Sequence, residues 1–416
     1  MNIPLDNLYH YIKGLFPEPV YFYLFYPHGS KNILDVIGLE PLKDNDNYRL
    51  IPSVICHDQE PLQPSMYQHH SQEVLDFYTN RYSSKKYIDQ QVIEQSNLKL
   101  AVPTSIYDKV IILHSEKNSK DLEWYTNNGY VGVFYWSHAF IAKDWYRFAR
   151  YDKRLTARST YPDKDFLIYC RDCTGSREYR AKFQELLVTN ELHTQSITSV
   201  MKSNFAQIDF KNHKFKPTEL GFLDQLQDNQ YQSTESAGYH PDDMLGSKIS
   251  VVLETVYDTE KIHLTEKILR PIACGHPFML AAGPGSLEYL KSYGFKTFSP
   301  YINEDYDNET DSSERLRMLI ESMKQFNSQP EHVKKQAHKE IKKIAQFNKR
   351  WFFSHKFDQL LISELTDNIT TALQLVKHTR GHLFLSIPRK LSKSNRAQRK
   401  VVIQELRRLR KISSLQ

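Results

Sequence analysis

The sequence contains only four cysteines among 416 residues. A chain of this length that relied on disulfides would carry more, so we expect a reducing compartment and a cytoplasmic protein. No apolar run is long enough to span a bilayer, so we expect no transmembrane segment. Residues 1–16 mix an acid, tyrosines and a lysine, and we interpret them as something other than a signal peptide.

The sequence also shows no internal repeat with a period of about 20 to 50 residues. What the chain does have is a hydrophobic fraction of 40% and an aromatic fraction of 12%. That composition suits packed cores and argues against a disordered chain. With 416 residues, the chain is long enough for two domains and an appendage.

Charge is distributed unevenly along the chain. Residues 377–416 contain twelve lysines and arginines against one acid, Glu405, a net charge of +11. The whole chain carries +6, so the other 376 residues carry −5. A basic tail on a mildly acidic body indicates a polyanionic partner, such as DNA or anionic lipid. The amphipathic helix predicted over 395–411 also fits a solvated helix docked on the acidic body.

Strands and helices alternate, which predicts parallel strands joined by helical crossovers. The first unit has predicted strands over 20–26, 50–56, 110–114 and 130–136, and helices over 8–16, 119–126 and 137–150. The second has predicted strands over 166–170, 249–254 and 277–282, and helices over 176–188, 264–274 and 286–293. Three further helices are predicted over 313–326, 331–347 and 351–376.

This order predicts an α/β protein of GT-B architecture, with two Rossmann-like domains facing a cleft and a helical, basic C-terminal extension. Ligands of open α/β folds bind outside the carboxyl ends of the parallel strands. Polar residues that directly follow predicted strands are therefore the candidate site residues.

The segment 248–298 carries the strongest chemical pattern. A buried-type strand ends at the acid Glu254, and a helix opens on Thr265, Glu266 and Lys267. A helix N-terminus offers free N–H groups and positive dipole to a diphosphate. Lys267 adds a point charge, and Glu266 can accept hydrogen bonds from ribose or sugar hydroxyls. The alternative interpretation is an ordinary helix start with an acid in its first turn.

A second polar cluster follows the first predicted strand of the second unit. It contains a glycine turn, Ser176 as a natural N-cap, and Arg177 in the first turn of the next helix. A cation there opposes the helix dipole unless an anion binds, so Arg177 is a candidate diphosphate ligand. Arg171 is a second candidate. Alternatively, Arg177 pairs with Asp172 or Glu178 on the surface.

Both segments resemble glycosyltransferase family 10, the α1,3/1,4-fucosyltransferases. Cys170, Ser176 and Arg177 stand where that family has Ser-Asn-Cys and Ser-x-Arg, although the following tyrosine is shifted. Residues 263–267, His-Leu-Thr-Glu-Lys, are similar to the family's Tyr-Val-Thr-Glu-Lys. The resemblance covers residues 165–300.

The resemblance implies a GT-B fold, an inverting mechanism and a nucleoside-diphosphate sugar as co-substrate, a GDP-sugar or a UDP-sugar, with no further cofactor. By this match, Arg177 and Lys267 would bind the pyrophosphate and Glu266 the ribose. The predicted donor site comprises Arg171, Ser176, Arg177, Glu254, His263, Thr265, Glu266 and Lys267.

An inverting transfer needs a base that takes the proton of the acceptor hydroxyl, a contribution of roughly 10²–10⁴-fold. The family carries a Glu-Ser-Pro turn in its first domain, and Gln59-Glu60-Pro61 resembles it. Glu60 is therefore the first candidate base, and a surface turn is its alternative interpretation. Glu116 is the second candidate. His138 is a third, although such a histidine is more often structural.

Metal ligands are only weakly indicated. Acidic patches occur at 44–47 and 303–307, but polar loops have the same composition. The pair Cys170-x-x-Cys173 has no second cysteine pair that would complete a zinc site. We therefore expect no obligatory metal.

These observations predict four regions with distinct roles. They are an acceptor domain over 1–158, a nucleotide-sugar domain over 159–345, a helix packing across both over 346–376, and the basic tail over 377–416. The predicted reaction moves a sugar to an acceptor hydroxyl on a glycan or on a hydroxymethylated DNA base. The alternative hypothesis is a non-catalytic nucleic-acid- or membrane-binding protein on the same scaffold.

Overall fold

The computed structural model describes residues 5–16, 20–25, 33–37, 53–63, 110–156, 161–202, 205, 208–227 and 236–378. The chain forms two compact units. The first unit comprises residues 1–14, 115–120 and 134–366, and the second comprises 15–114, 121–133 and 367–416. The domain boundaries at 158 and 345 stay predictions. Residues 379–416 of the basic tail lie outside the described residues.

The second unit carries most of a five-stranded sheet in the order β2-β1-β3-β4-β5. Its strands are β1 (Val20–Leu24), β2 (Ile33–Ile37), β3 (Ser53–Cys56), β4 (Val110–His114) and β5 (Tyr130–Phe134). β3 is parallel to β1 and β4, and β2 pairs with β1 in the antiparallel sense. β4 is buried along its whole length, which suits its run of branched apolar residues.

The first unit contains a four-stranded sheet in the order β7-β6-β8-β9. Its strands are β6 (Lys164–Cys170), β7 (Ser196–Val200), β8 (Ser247–Leu253) and β9 (Phe278–Ala281). All three strand pairings are parallel. The carboxyl ends of these strands therefore lie along one edge, where open α/β folds bind ligands.

Ten α-helices are found in the described residues. They are α1 (Leu5–Gly14), α2 (Lys120–Asn127), α3 (Ser137–Trp145), α4 (Tyr179–Thr189), α5 (Pro241–Gly246), α6 (Glu266–Cys274), α7 (Ser286–Ser292), α8 (Ser312–Asn327), α9 (Glu331–Phe352) and α10 (His355–His378). None of them is both long enough and apolar enough to cross a membrane.

The structure confirms an α/β organisation with parallel strands, while the two-domain GT-B cleft stays a prediction. The bounds of several predicted helices differ from the observed ones; the helix predicted over 331–347, for example, extends to Phe352. The helix predicted over 137–150 ends at Trp145, and a 3₁₀ turn, Arg147–Arg150, follows it. The helix predicted over 176–188 begins at Tyr179, after a 3₁₀ turn at Gly175–Arg177.

Gly283 sets the position of the loop that leads into α6. A Cβ atom at this residue would lie 2.8 Å from the carbonyl oxygen of Lys261 and 3.1 Å from that of Thr259. These distances are too short for any side chain, so the turn after β9 requires glycine here. The close approach holds residues 259–261 against the end of β9.

Candidate functional site

The start of α6 is held by two residues that sequence analysis had singled out. Thr265 is the N-cap, and its Oγ1 accepts a hydrogen bond from the Lys267 amide at 3.3 Å. Glu254 directly follows β8 and is completely buried. Its Oε1 accepts from the Thr265 amide at 3.1 Å, and its Oε2 accepts from the Thr265 hydroxyl at 2.7 Å. The end of β8 is thereby tied to the helix N-terminus.

Lys267 places a partly exposed ammonium group at this helix start. Its Nζ lies 3.3 Å from Thr255 Oγ1, 3.2 Å from Thr265 Oγ1 and 3.0 Å from Glu266 Oε1. The side chain remains 31% exposed. A cation in the first turn of a helix faces the positive end of the dipole, an arrangement that a bound anion would stabilise.

Glu266 is an ionised carboxylate in a buried setting. Its Oε2 lies 3.2 Å from Nδ1 of His138, which is carried by α3. Burial by itself would raise the pKa of Glu266, but the positive charge of Lys267 and the contact with His138 outweigh it and hold that pKa well below its ordinary value. The carboxylate of Glu266 therefore lies between Lys267 and His138.

His263 lies next to this pair. Its ring is perpendicular to that of His138, with centroids 5.1 Å apart. Its Nδ1 lies 3.2 Å from the hydroxyl of Ser115, and its Nε2 is buried without a hydrogen-bond partner in the described part of the chain. Burial, followed by the charges of His138, Lys261 and Lys267, lowers the pKa of His263 well below its usual range. The ring is therefore neutral at physiological pH.

Glu116, the second candidate base, forms a buried ion pair. One carboxylate oxygen lies 3.1 Å from Nζ of Lys261, and the other accepts a hydrogen bond from Ser119. The neighbouring backbone is also fixed, because Lys117 and Ile262 exchange two amide hydrogen bonds of 3.0 Å each. These contacts hold the loop before α6, and the role of Glu116 as the second candidate base stays a prediction.

The turn after β6 is organised by Asp172. Its Oδ1 accepts from the Thr174 amide at 2.9 Å and from the Thr174 hydroxyl at 2.8 Å, while its Oδ2 lies 3.2 Å from Arg177. The interpretation of Ser176 as the cap of a helix was wrong, because Ser176 is exposed within the 3₁₀ turn. The positive φ of Gly175, 58°, opens this turn before α4 begins.

Arg177 forms the ion pair that sequence analysis gave as its alternative interpretation. The pair with Asp172 is partly exposed, with side-chain exposures of 25% for Arg177 and 26% for Asp172. Arg171 is exposed at the end of β6. Both arginines lie at the carboxyl edge of the first unit's sheet, as predicted, and their donor-binding role stays a prediction.

Arg180 is the main residue of this edge that sequence analysis missed. It is buried, and its guanidinium donates to the carbonyl oxygens of Asp172 at 2.7 Å, Leu253 at 2.7 Å and Glu254 at 2.9 Å. No carboxylate of the described residues pairs with it. The guanidinium of Arg180 therefore adds a buried positive charge at the edge where β6 and β8 end.

Glu60 lies in the second unit, in a bend after β3. It is half-buried, and the preceding Asp58 is buried. The neighbouring His57 stacks on Phe25, with ring centroids 4.8 Å apart. The role of Glu60 as the base stays a prediction.

The acidic segment 303–307 is used for local structure. Asn303 Oδ1 accepts from the Asp305 amide at 2.9 Å, and Glu304 Oε1 accepts from the Phe298 amide at 2.6 Å. Asp307 Oδ2 accepts from the Leu287 amide at 2.9 Å, which caps α7. No group of three metal-ligating side chains occurs in the described parts of the chain. The patch at 44–47 lies outside them.

All four cysteines are buried, and none of them forms a disulfide. Cys170 and Cys173 lie with their sulfur atoms 3.6 Å apart at the end of β6. The amide of Gln184 donates to Cys170 at 2.9 Å. These thiols belong to the packing between β6 and α4.

No protein-family model matches the chain, and no curated protein sequence matches it. Among solved structures, the chain is similar to that of α,α-trehalose 6-phosphate synthase from Burkholderia multivorans. The two share 10% identity with a TM-score of 0.29, over 80% of this chain and 68% of that one. A likeness at this level carries no argument, so the function has to be argued from the residues themselves.

Proposed function

We propose that the protein is a glycosyltransferase that uses a nucleoside-diphosphate sugar and binds its diphosphate at the N-terminus of α6. One observation carries the proposal: the partly exposed ammonium of Lys267 lies at a capped helix start, at the carboxyl edge of a parallel sheet. The helix dipole and the ammonium both favour a bound anion. The resemblance of segments 165–300 to glycosyltransferase family 10 supports the same assignment.

The arginines at the end of β6 would serve the departing diphosphate. Arg177 is partly exposed and can exchange its ion pair with Asp172 for a phosphate oxygen. Arg180 is fixed by three carbonyl groups, so it adds positive potential without having to move. Preorganised charge of this kind is usually the largest contribution to stabilising a leaving group.

Glu266 would accept hydrogen bonds from the ribose. A carboxylate has about four acceptor positions, so the contacts with Lys267 and His138 leave capacity for a sugar hydroxyl. The lowered pKa keeps Glu266 an acceptor throughout the physiological range. His263 would offer a polar ring nitrogen to the donor.

Glu60 remains our first candidate for the base of an inverting transfer, because the carboxylate of Glu116 is held by Lys261 and Ser119. The acceptor would be a glycan hydroxyl or a hydroxymethylated DNA base, the latter favoured by the basic tail. Glu60→Gln should lower kcat by roughly 10²–10⁴-fold if Glu60 is the base. A loss of that size in Glu116→Gln alone, without loss of stability, would contradict the assignment.

The donor site is tested by thermal shift with GDP-, UDP-, ADP- and CMP-linked sugars. Saturation at about 100 times the dissociation constant should stabilise the protein by roughly 2.7 kcal/mol. Lys267→Ala should abolish the shift. Lys324→Ala is the matched control, because Lys324 is 45% exposed and also pairs with a nearby glutamate on a helix.

The absence of a shift with every nucleotide would refute the glycosyltransferase proposal. A thermal shift that persists unchanged in Lys267→Ala would show that the diphosphate does not bind at the start of α6. The first result would favour a non-catalytic protein that binds nucleic acid or a membrane surface through its basic tail.

A further inference from the structure

Two large aromatic side chains are exposed on the segment that follows α3. Phe148 is 64% exposed and Tyr151 is 72% exposed, the highest values among the large hydrophobic residues that the structure describes. The surrounding residues Tyr146 and Ala149 are completely buried, so the segment itself is well packed. These two neighbouring exposed aromatics form a candidate contact surface, because contact surfaces expose contiguous apolar side chains.

The local backbone presents the two rings together. Residues Arg147–Arg150 form a 3₁₀ turn, and the amide of Tyr151 donates to the carbonyl oxygen of Phe148 at 3.0 Å. In a 3₁₀ helix, side chains three positions apart are eclipsed and lie about 6 Å apart along the axis. Tyr151, which ends the turn, therefore lies one turn after Phe148.

An arginine guanidinium lies against each of the two rings. The guanidinium carbon of Arg147 lies 4.5 Å from the ring centroid of Phe148, and that of Arg150 lies 5.4 Å from the ring centroid of Tyr151. Cation–π contacts of this kind hold planar guanidinium groups beside the ring faces. The arrangement forms two adjacent aromatic–cation pairs, which we call the aromatic–arginine surface (Arg147, Phe148, Arg150 and Tyr151).

The charge of this region is positive. Residues 144–154 contain the cations Arg147, Arg150, Lys153 and Arg154 and the acids Asp144 and Asp152. Arg147 pairs with Asp144 at 3.1 Å, and Arg154 pairs with Asp152 at 2.8 Å. Arg150 pairs with no carboxylate of the described chain. The complementary partner is therefore an anion, which excludes the chain's own basic tail as the occupant.

We propose that the aromatic–arginine surface binds single-stranded nucleic acid. Unpaired bases would stack on Phe148 and Tyr151, while Arg147 and Arg150 would contact the flanking phosphates. Stacking on aromatic residues beside basic groups is how proteins hold single strands without reading their sequence. A duplex hides its base faces, so it fits this surface less well. The proposal stands apart from sugar transfer, because none of these residues belongs to the donor site.

The test is fluorescence anisotropy of the full-length protein with a labelled oligothymidine of about 20 nucleotides, measured without any nucleotide sugar. Phe148→Ala combined with Tyr151→Ala should weaken binding at least tenfold. Arg147→Gln combined with Arg150→Gln should lower the salt slope by about 1.4, since each phosphate contact on a single strand contributes about 0.7.

Matched controls separate this surface from general charge and from the basic tail. Leu220→Ala changes another exposed apolar side chain, at 50% exposure, and Arg317→Gln with Lys324→Gln removes two exposed cations from α8. Both should keep the affinity within about twofold. The assay contains no nucleotide sugar, so its outcome does not depend on the proposed donor site.

Photocrosslinking with an iodouracil-containing oligonucleotide locates the contact directly. Adducts on the peptide that contains Phe148 and Tyr151 would support the proposal. Three outcomes would overturn it: equal affinities for surface variants and controls, adducts confined to residues 377–416, or binding of neutral oligosaccharides or anionic vesicles without binding of oligothymidine.

Discussion

The carboxylate of Glu254 and the N-cap residue Thr265 form a double hydrogen bond that joins a strand end to a helix start. One oxygen of Glu254 accepts from the Thr265 amide and the other from its hydroxyl, at 3.1 and 2.7 Å. The same hydroxyl faces Lys267 at 3.2 Å. The position of Lys267, which we propose binds the diphosphate, therefore depends on the buried acid Glu254. Glu254 itself need not contact the diphosphate.

Replacing Thr265 tests this dependence. Thr265→Ala removes the helix cap and leaves one oxygen of a buried carboxylate without its donor, so we expect a loss of roughly 2–3 kcal/mol in unfolding free energy. Thr265→Ser keeps the hydroxyl and should stay within about 1 kcal/mol of the parent. Urea denaturation measures both. Equal losses in the two variants would show that the methyl group, and not the hydroxyl, is responsible.

The turn after β9 leaves no room for a side chain at Gly283. Gly283→Ala would bring a Cβ atom to within 2.8 Å of the Lys261 carbonyl oxygen, and we expect a cost of about 1–3 kcal/mol in stability. Gly221→Ala is the control, because no atom lies within 4 Å of the position that its added methyl group would take. The control should be neutral or slightly stabilising. Similar melting temperatures for both variants would disprove the close approach.

Protonation of Asp307 should stabilise the folded protein at acid pH. Burial raises the pKa of Asp307 to about 6 from an ordinary value of 3.8. The folded state therefore holds this proton more tightly than the unfolded chain, and the contribution is lost as the pH rises through 6. Asp307→Asn keeps an acceptor for the Leu287 amide, so its stability relative to the parent should increase by up to about 3 kcal/mol between acid and neutral pH.

Asp311 provides the opposite control for that measurement. It is exposed, and the hydrogen bond from the Glu314 amide lowers the pKa of Asp311. Its charged form stabilises the start of α8, so Asp311→Asn should lose stability relative to the parent as the pH rises through the lowered pKa of Asp311 toward 3.8, and the difference should stay constant at higher pH. Urea denaturation across the pH range distinguishes the two. Parallel profiles for both variants would contradict the burial of Asp307.

Because the cysteines are buried, we expect their thiols to react slowly with external reagents in the native protein. The sulfur atoms of Cys170 and Cys173 lie 3.6 Å apart in the core beside α4, and Cys56 and Cys274 are also buried. Native protein should therefore react with a disulfide reagent only as fast as it opens, whereas denatured protein should titrate four thiols at once. Rapid labelling of any thiol in the native state would contradict the packing at that residue.

Local patterns in the sequence were sufficient for the elements around the site. The apolar run before Glu254 predicted β8, and the polar residues Thr265 and Glu266 predicted the start of α6 to within two residues. The edge strands β2 and β7 were missed. β7 reads Ser-Ile-Thr-Ser-Val and is half-exposed, so its pairing with β6 comes from tertiary contact and not from a strong apolar pattern.

The side-chain network of the site was less accessible from sequence. Arg180 sits in a helix where a charged residue suggests a solvent-facing position, yet it donates to the carbonyl groups of the nearby Asp172 and of the distant Leu253. Ser176 is a residue type that favours the N-cap position. The backbone there is instead fixed by the hydrogen bond to Asp172 and by the positive φ of Gly175. In both cases the deciding partner is supplied by the fold, so no local pattern could identify it.

The pairing of Lys117 with Ile262 has a consequence for how the chain folds during synthesis. Glu116 meets Lys261 across 145 positions, and Ser115 meets His263 across 148. A nascent chain that has not passed residue 263 lacks Lys261, the buried ion-pair partner of Glu116, and closing so long a loop is slow. The loop before α6 therefore takes shape only after residue 263 has been synthesised.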